Sequence, residues 1–469
     1  MRALILAAGL GSRFKSQRAK VLHTILGKPM LWYVLRTLRE LNFREIGVVV
    51  GHQAEEVKKV FEGEDGIFFF HQGNPKGGTA DAVISALDFW RDYQDYLLVI
   101  NGDSPLVKVQ TIKNMQRYLQ LVEEYENIKL SALLLSGFLP DPTGYGRVVK
   151  DQGGNVIKIV EEKDATIEEK QIREINGGVY FFYCPHLLDV VFSIQPSPKS
   201  GELYLTEAIA LMHKKGYAVR SFMAEDQAEV MGVNDRWELA IAENVIRLRI
   251  LERLTKEGNT IHQPETVWIE PSVVLEGEVE IEPGVALRGN TKIGKGVRIG
   301  RGSVIENSVV EEGAVIEPYS IIRDSHIKVG AIVGPFAHLR NHSVIGEGSH
   351  IGNFVEVKAS EIGSYVNAKH LAYIGDAQIG DRTNIGAGVV FANYDGKQKH
   401  QSKVGQNAFI GSNSLIIAPI TLGDYSYIAG GSVIRKNIEE GDLAIARARL
   451  RILKGKGKEK LLSCEPGGI

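Results

Sequence analysis

The chain is poor in cysteine, in net charge and in long apolar runs, and each shortage excludes a class of protein. Its 469 residues include two cysteines, Cys184 and Cys464, which are too few and too far apart for a disulfide framework. The formal net charge is -2, so electrostatics give no reason to expect nucleic acid as a partner. The apolar start at residues 1–6 is too short for a signal peptide, and no later stretch is long enough to span a membrane. We therefore expect a cytoplasmic protein of two or three domains without a membrane partner.

The chain is rich in a repeat with a period of six residues. Through most of residues 267–434 an aliphatic residue returns at every sixth position, first at Ile269, Leu275, Ile281, Leu287, Ile293, Ile299 and Ile305. This period fits neither an α-helix nor a two-sided strand, but it is typical of hexapeptide repeats, whose short parallel strands coil into a prism. The period slips near Val310, Ile362 and Ile379, and the largest polar interruption covers residues 393–400. The slips predict loops, and loops on a rigid solenoid commonly carry function.

This array resembles the left-handed parallel β-helix acyltransferases, and the resemblance implies a homotrimer. The period alone leaves another interpretation open, in which the array is an inert spacer or a trimerisation stalk.

At the other end of the chain, residues 2–8 form a buried-strand pattern that leads into a glycine turn with Gly9 and Gly11. Such a turn exposes backbone N–H groups that can wrap a phosphate, although it is also a common tight connection. The Rossmann fingerprint is not met, because no third glycine follows at its spacing. Arg13 and Lys20 stand where they could fold over the turn, which favours phosphate binding.

Further strand patterns at 46–50, 67–70 and 97–100 alternate with helical stretches and predict a parallel α/β sheet. The last of them runs into Asp103. A carboxylate just past the carboxyl end of such a strand lies where a ligand crevice is expected and suits Mg²⁺, although it could also cap the next helix. Gly78 follows another glycine at a small-residue helix start, which is a second possible backbone cradle.

Together these motifs resemble the sugar-1-phosphate nucleotidylyltransferase family, whose further motifs follow in order at 143–147, 160–164, 175–178 and 232–235. The resemblance implies that Asp103 and Asn234 hold Mg²⁺. It also implies that Arg13 and Lys20 neutralise charge while a sugar phosphate attacks a nucleoside triphosphate. The implied nucleotide-sugar contacts are Leu6, Ala7, Ala8, Gly9, Lys20, Gln72, Gly78, Thr79, Asn101, Gly102, Asp103, Gly146, Glu161, Asn176 and Asn234.

Between the two patterns, apolar residues recur at helical spacing among charged ones and predict a linker helix over 235–258; a partner-binding or coiled-coil helix is the alternative. The predicted fold class is an α/β nucleotidyltransferase domain, Rossmann-like with a mixed sheet, followed by an all-β left-handed parallel β-helix. The predicted domains are listed by residue number: 1–234 nucleotidylyltransferase, 235–258 helix, 259–446 acetyltransferase β-helix, and 447–469 basic tail.

Several residues inside the array depart from the plain hexapeptide pattern: Arg340, Lys358, His370, Tyr373 and Asn384. Two cations suit a phosphate group, and a histidine near a reactive amine is a candidate general base because imidazole titrates near neutral pH. A lone surface histidine is normally only solvated. The phosphate- and sugar-binding residue types around His370 favour the catalytic interpretation.

With residues 393–396, Ser412 and Arg447 added, this half closely resembles the acetyltransferase half of a bacterial bifunctional family. That family joins N-acetylglucosamine-1-phosphate uridylyltransferase to glucosamine-1-phosphate N-acetyltransferase and uses UTP, acetyl-CoA and Mg²⁺. The resemblance makes His370 the base that deprotonates the sugar amine. It assigns the acetyl acceptor to Arg340, Lys358, Tyr373 and Asn384. It assigns acetyl-CoA to Ala387, Asn393, Tyr394, Ser412, Gly430 and Arg447, with Asn393 and Tyr394 also near the sugar phosphate.

Three residues differ from those common in this family: Asn101 for Tyr, Gly177 for Thr and Gly430 for Ala. The first two leave the choice between UTP and dTTP open. The basic tail is either solvated or covers the CoA pocket with its first part.

Two other functions compete with the bifunctional enzyme. One is a nucleotidylyltransferase whose β-helix only oligomerises or regulates, and His370 with residues 393–396 speaks against it. The other is a hexapeptide scaffold that merely binds a sugar nucleotide, and Arg13, Lys20 and Asp103 together speak against that.

Overall fold

The computed structural model of the chain describes residues 1–462 and divides into two compact units, one covering Met1–Arg249 and the other beginning at Ile250. Cys184 is a free, buried cysteine, and burial raises the pKa of its thiol to about 12. Cys464 and the end of the basic tail lie outside the described residues. Across residues 1–462, no helix has the length and apolarity needed to span a bilayer.

The first unit is built around a mixed sheet. The strands of this unit, of which β2 and β3 form a separate two-stranded sheet, are Arg2–Ala7 (β1), Thr24–Ile25 (β2), Lys28–Pro29 (β3), Glu45–Val50 (β4), Ile67–His71 (β5), Tyr96–Asn101 (β6), Ala132–Phe138 (β7), Arg147–Lys150 (β8), Val156–Val160 (β9), Glu174–Tyr183 (β10) and Val219–Met223 (β11). The α-helices are Met30–Glu40 (α1), Ala54–Val60 (α2), Gly78–Ser85 (α3), Leu87–Trp90 (α4), Val109–Glu126 (α5), Ile167–Lys170 (α6), Cys184–Val191 (α7), Glu207–Lys214 (α8) and Arg236–Lys256 (α9). Short 3₁₀ helices cover Ser12–Phe14, Lys20–Leu22 and Gln227–Val230.

The main sheet has the spatial order β11-β7-β10-β6-β1-β4-β5. The strands β5, β4, β1 and β6 are parallel, and β10 then runs antiparallel to β6. Neighbouring residues of β1 enter different cores, Leu4 on one face of the sheet and Ile5 on the other, so the strand is buried on both sides and reads as a continuous apolar run. The predicted mixed α/β sheet is confirmed.

Helix α9 begins at Arg236 in the first unit, and its last residues, from Ile250 to Lys256, belong to the second. Oδ1 of Asp235 accepts hydrogen bonds from the backbone of Trp237 at 2.8 Å and Glu238 at 2.9 Å, so Asp235 caps the helix. In the second unit, Leu251 and Leu254 belong to the core of the β-helix. The functional boundaries expected at 234, 258 and 446 stay predictions.

The second unit is a left-handed β-helix of short parallel strands, as predicted. The first face contains Thr260–Ile261, Glu280–Ile281, Arg298–Ile299, Val315–Ile316, Ile332–Val333, His350–Asn353, Asn367–His370, Asn384–Ile385, Phe409–Ile410, Tyr427–Ile428 and Leu443–Ala444. The second contains Trp268–Ile269, Ala286–Arg288, Val304–Glu306, Ile321–Arg323, His338–Arg340, Glu356–Lys358, Tyr373–Gly375, Val390–Ala392, Leu415–Ile417 and Val433–Ile434. The third contains Val274–Leu275, Lys292–Ile293, Val309–Val310, His326–Ile327, Val344–Ile345, Glu361–Ile362, Ala377–Ile379, Ser402–Val404 and Ile420–Leu422. A 3₁₀ helix, Pro264–Thr266, and a terminal helix, Lys456–Leu462 (α10), complete the unit.

The repeating aliphatic residues stack inside the prism, as Ile299, Ile316 and Val333 do on successive coils. The register slips are absorbed outside the strands. Gln378 pairs with Lys403 on the next coil although residues 393–400 intervene, so this polar run leaves the coil as a loop. The core therefore stays continuous while the loop is free to carry side chains of other chemistry.

Candidate active sites

Lys20, Asp103 and Asn234 meet at the carboxyl edge of the main sheet. The Lys20 ammonium forms an ion pair with Oδ2 of Asp103, and its Nζ lies 3.2 Å from Oδ1 of Asn234. Helix α5 begins at Val109, so Asp103 does not cap it. An ammonium held by these two oxygens shows that they accept a cation, and a carboxylate with an amide oxygen fits Mg²⁺ when substrate phosphates complete its shell.

The protein offers few side-chain ligands for a metal ion at the edge of the sheet. In residues 1–462, no group of three or more histidine, cysteine, aspartate or glutamate side chains is arranged to hold a metal ion. A metal at Asp103 and Asn234 would therefore take its other ligands from water and substrate.

The glycine turn lies directly over Lys20. Gly11 has a φ of 59°, and a Cβ added there would lie 2.8 Å from Cβ of Lys20, so both the conformation and the close approach require glycine. Arg13 follows in a 3₁₀ turn and is exposed. It forms no ion pair in the part of the chain that the structure describes. Its guanidinium is thus available to a phosphate.

Leu6 and Ala7 end β1, and Ala8 and Gly9 follow it at the same edge. Leu6 lies opposite Asn101, and its carbonyl accepts the N–H of Gly102 at 2.9 Å. The structure thus brings the first strand's end against the segment that carries Asp103.

Gln72, Gly78 and Thr79 form a second group on the neighbouring part of this edge. Nε2 of Gln72 donates to the Gly78 carbonyl at 3.0 Å, and Gln72 is 6% exposed. Oγ1 of Thr79 accepts the N–H of Leu205 at 2.8 Å, and Ala80 donates its N–H to the Leu203 carbonyl at 2.9 Å. The segment around residues 203–205 therefore fixes this turn.

Gly146, Glu161 and Asn176 form a third group. The Asn176 N–H donates to the Gly146 carbonyl at 2.9 Å, and a Cβ at Gly146 would lie 3.6 Å from both carboxylate oxygens of Glu161. The Thr206 hydroxyl donates to Oε1 of Glu161 at 2.8 Å. Burial raises the pKa of Glu161. A hydrogen-bonded carboxyl beside a glycine leaves room for sugar hydroxyls.

The first two departures from the family pattern have a physical basis. A Cβ at Gly178 would lie 2.4 Å from Nδ2 of Asn101, and one at Gly177 would lie 2.8 Å from Cγ1 of Val230. Neither glycine accepts a larger residue unless its neighbour moves. Asn101 and Gly177 thus each lie in a tightly packed contact, the first with Gly178 and the second with Val230.

In the β-helix, Arg340 and Lys358 lie in register on successive coils of the second face. Nε and Nη2 of Arg340 donate to Oε1 of Glu356 at 2.9 and 2.7 Å. Nζ of Lys358, which is nearly buried, lies 3.0 Å from Oδ2 of Asp376. The two cations therefore point the same way and are held by carboxylates.

Asn393 and Tyr373 complete this group. Nδ2 of Asn393 donates to Asp376 and lies 3.5 Å from the Tyr373 hydroxyl. Tyr394, one residue further, pairs with Lys399 across the loop and is 61% exposed.

Lys399 is a candidate that sequence reasoning missed. It lies in the 393–400 loop beside Lys358, and the contact with that second ammonium lowers the pKa of Lys399. The loop is folded by Asp395, whose Oδ1 accepts the N–H of Lys397 at 2.7 Å. A lysine in a polar loop carries no signal of its own in the sequence. Only the fold shows that three cations converge here.

His370 ends a first-face strand and is exposed. It lies beside Asn353 of the preceding coil, and Tyr373 opens the next strand on the second face. Asn384 lies on the first face, one coil after Asn367. In residues 1–462 no hydrogen bond joins the side chain of His370 or of Asn384 to the Arg340 and Lys358 group.

Four of the residues assigned to acetyl-CoA lie along one corner on successive coils, whereas Asn393 and Tyr394 lie in the 393–400 loop. The Ala387 carbonyl accepts the N–H of Asn413 at 2.8 Å, and the Ser412 carbonyl accepts that of Gly431 at 2.8 Å. Nη1 of Arg447 donates to the Gly430 carbonyl at 3.0 Å. The structure thus brings Ala387, Ser412, Gly430 and Arg447 into one ladder.

An exposed apolar ridge leads along this same corner toward His370. Tyr319, Phe336, Phe354 and Leu371 occupy it on consecutive coils with φ between 42° and 60°, and their exposures run from 45% to 63%. The three rings stack with centroids 5.3 and 5.2 Å apart. Equivalent corner positions elsewhere hold residues that tolerate this conformation: Gly284, Gly302, Gly388, Asn413 and Gly431. Bulky residues cost roughly 1 kcal/mol or more each in this conformation, and exposed apolar patches of this kind are common at protein–protein contacts.

Comparison with known proteins finds matches for both halves of the chain. Residues 2–240 match the nucleotidyl transferase family, 266–362 match the GMPPB C-terminal domain, and 401–436 match the bacterial transferase hexapeptide (six repeats). The chain is 60% identical to the bifunctional protein GlmU of Aquifex aeolicus (strain VF5) over 98% of this chain and 99% of that protein. It is 56% identical to the one from Hydrogenobaculum sp. (strain Y04AAS1), over 98% and 100%, and 40% identical to the one from Acetivibrio thermocellus, over 96% of each.

Proposed function

This chain belongs to the bifunctional GlmU family and is a bifunctional uridylyltransferase and acetyltransferase, and we propose that each activity has its own set of residues. Uridylyl transfer takes place at the sheet edge with Lys20, Asp103 and Asn234. Acetyl transfer takes place at the β-helix corner with His370. The observation that carries the first assignment is the lysine ammonium held between two metal-binding oxygens.

At the sheet edge, an oxygen of N-acetylglucosamine-1-phosphate attacks the α-phosphorus of UTP. The new P–O bond forms as the bond to the bridging oxygen breaks, and pyrophosphate leaves. The attacking phosphate is already anionic, so no general base is needed, and the protein must align and neutralise the phosphates. Arg13 and Lys20 supply positive charge. The groups around Gln72, Thr79 and Glu161 bind base and sugar.

Asp103 and Asn234 would hold Mg²⁺, which when bound neutralises charge on the phosphates. Lys20, displaced from these oxygens by the metal, would then be free to contact a phosphate. UTP rather than dTTP is the proposed nucleotide, because the chain belongs to a uridylyltransferase family.

At the β-helix corner, the amine of glucosamine-1-phosphate attacks the thioester carbon of acetyl-CoA. The C–N bond forms and the C–S bond breaks, and the attacking nitrogen gives up a proton that the leaving sulfur takes up, so CoA leaves as its thiol. His370 takes the proton that the ammonium must lose before attack. Arg340, Lys358 and Lys399 bind the phosphate, with Tyr373, Asn384 and Asn393 on the sugar. Tyr394 and the ladder from Ala387 to Arg447 bind acetyl-CoA.

The acetyl site is further proposed to form between protomers of a homotrimer. Two observations support this: in residues 1–462 no hydrogen bond joins the side chains of His370 and Asn384 to the cation group, and the exposed ridge ends at Leu371, next to His370. Packing of the ridge against a second protomer would bury its rings and bring a neighbouring chain beside His370.

One assay tests both activities. Purified chain is incubated with glucosamine-1-phosphate, acetyl-CoA, UTP and Mg²⁺, and CoA, pyrophosphate and the nucleotide sugar are measured. All three products are expected. A chelator should stop pyrophosphate release and leave CoA release intact, because the metal is assigned to the sheet edge. Loss of CoA release with the chelator would contradict the assignment.

A further inference from the structure

Helix α9 contacts the loops of the uridylyl site through charged side chains along its length. Nε of Arg236 donates to the Phe14 carbonyl at 3.1 Å, and Oε1 of Glu243 accepts the Leu26 N–H at 2.9 Å. The first of these loops contains the arginine proposed to bind phosphate, and the second follows the proposed lysine. The helix thus holds the backbone of the turn that contains Arg13 and of the hairpin turn that follows Lys20.

Two more contacts reach the segments of the proposed metal ligands. Oε2 of Glu238 accepts the backbone N–H of Asn234. Nη1 of Arg249 donates to the carbonyl of Leu106 at 2.7 Å, three residues after Asp103. The two oxygens that would bind the metal are therefore carried by segments fixed to the same helix.

Arg249 is itself held in an ion-pair network. Its Nη2 lies 2.8 Å from Oδ2 of Asp226, which lies 2.7 Å from Nζ of Lys108. Burial alone raises the pKa of Asp226, but the Lys108 and Arg249 cations bring it down to about 2, so the pair is ionised at neutral pH. Glu229, 1% exposed, accepts the Lys108 N–H at 2.9 Å. The segment that follows Asp103 is thus held by two hydrogen bonds, one from Arg249 to the Leu106 carbonyl and one from the Lys108 N–H to Glu229.

A helix that only joined two units would need an apolar face and no charged contacts to backbone groups of separate loops. Hydrogen bonds from charged donors are strong and directional, so they fix a loop in one position. A metal site loses affinity when the groups that support its ligands shift. The arrangement of α9 therefore matches a positioning role.

We propose that α9 positions the uridylyl site and that Arg249 is a positioning residue, which sets where the Asp103 carboxylate lies relative to Asn234. The proposal rests on the proposed function, in which these two residues hold Mg²⁺. Loss of the arginine would release the Leu106 carbonyl and let the segment that carries Asp103 move.

The test is a titration of the full chain with Mn²⁺, followed by electron paramagnetic resonance, in wild type, R249M, R249K, R253M and D103N. Arg253 is the matched control, because it lies on the same helix and pairs with Glu257 at the surface. R249M should weaken Mn²⁺ binding about tenfold, R249K should recover part of it, and R253M should bind like wild type. The kcat of pyrophosphate release should fall in R249M, while CoA release stays unchanged.

Thermal unfolding of each variant separates positioning from stability. If R249M lowers Tm but binds Mn²⁺ like wild type, Arg249 is only structural and the proposal is overturned. D103N distinguishes the two ways to fail. If D103N binds Mn²⁺ normally, the assigned metal site is wrong and the proposal falls with it; if D103N loses binding and R249M keeps it, the positioning role alone is wrong.

Discussion

The ammonium of Lys20 forms an ion pair with the carboxylate of Asp103 at the edge of the sheet where the nucleotide is expected. The lysine side chain is 13% exposed and that of Asp103 22%, so the pair is shielded from solvent. We propose that a metal ion bound by both Asp103 and Asn234 takes the place that the ammonium holds between their oxygens. Without substrate, Lys20 would then compete with the metal ion for these oxygens.

K20M should bind Mn²⁺ more tightly than wild type in the absence of substrate, because the competing ammonium is gone. It should also release pyrophosphate more slowly, because a phosphate contact is lost. Electron paramagnetic resonance measures the first effect and a pyrophosphate assay the second. Equal or weaker Mn²⁺ binding in K20M would mean that Lys20 does not compete with the metal.

Lys399 should contribute to binding of the sugar phosphate. K399M is expected to raise the KM for glucosamine-1-phosphate a few-fold with little change in kcat, since the charge contact of an exposed lysine with the phosphate contributes to binding and is screened by solvent. K397M is the matched control from the same loop, and its KM should stay at the wild-type value. If both variants behave alike, Lys399 is only a solvated loop residue.

The ridge at the β-helix corner predicts assembly. F354D places a carboxylate at the end of the stacked rings, between Phe336 and Leu371 on the ridge, which disfavours burial against a second protomer. Light scattering should give a trimer mass for wild type and a smaller mass for F354D. The variant should lose CoA release and keep pyrophosphate release. Y425D, at an exposed residue of a different corner, is the control and should stay trimeric; a trimeric F354D would show that the ridge is not the interface.

H370A should slow acetyl transfer by roughly 10²–10⁴-fold, mainly in kcat, because a general base acts in the transition state. Uridylyl transfer should be unaffected. A near-normal rate in H370A would place the base elsewhere.

The fold was accessible from the sequence because its signals are local and periodic. The sixfold spacing from Ile269 onward gives one core residue per strand, and the apolar run that contains Leu4 and Ile5 gives a strand buried on both faces. That Asp103 and Asn234 share a site could be predicted only from the order of the family's motifs along the chain.

Other features depend on contacts that leave no periodic trace. The approach of Lys399 to Lys358 depends on how the 393–400 loop folds back. The hydrogen bond from Arg249 to the Leu106 carbonyl joins residues that are far apart in sequence. The ridge was hidden because Phe336 and Phe354 occupy positions outside the luminal repeat. Such features follow from tertiary packing rather than from local pattern.

We propose that one chain carries two separate sites whose reactions follow one another. The direct measurement supplies glucosamine-1-phosphate, acetyl-CoA, UTP and Mg²⁺ to D103N, to H370A and to their mixture, and quantifies UDP-N-acetylglucosamine. D103N alone should stop at N-acetylglucosamine-1-phosphate, H370A alone should leave the amino sugar unreacted, and the mixture should form the nucleotide sugar. A mixture that stays inactive, or either variant forming the nucleotide sugar alone at the wild-type rate, would contradict the account.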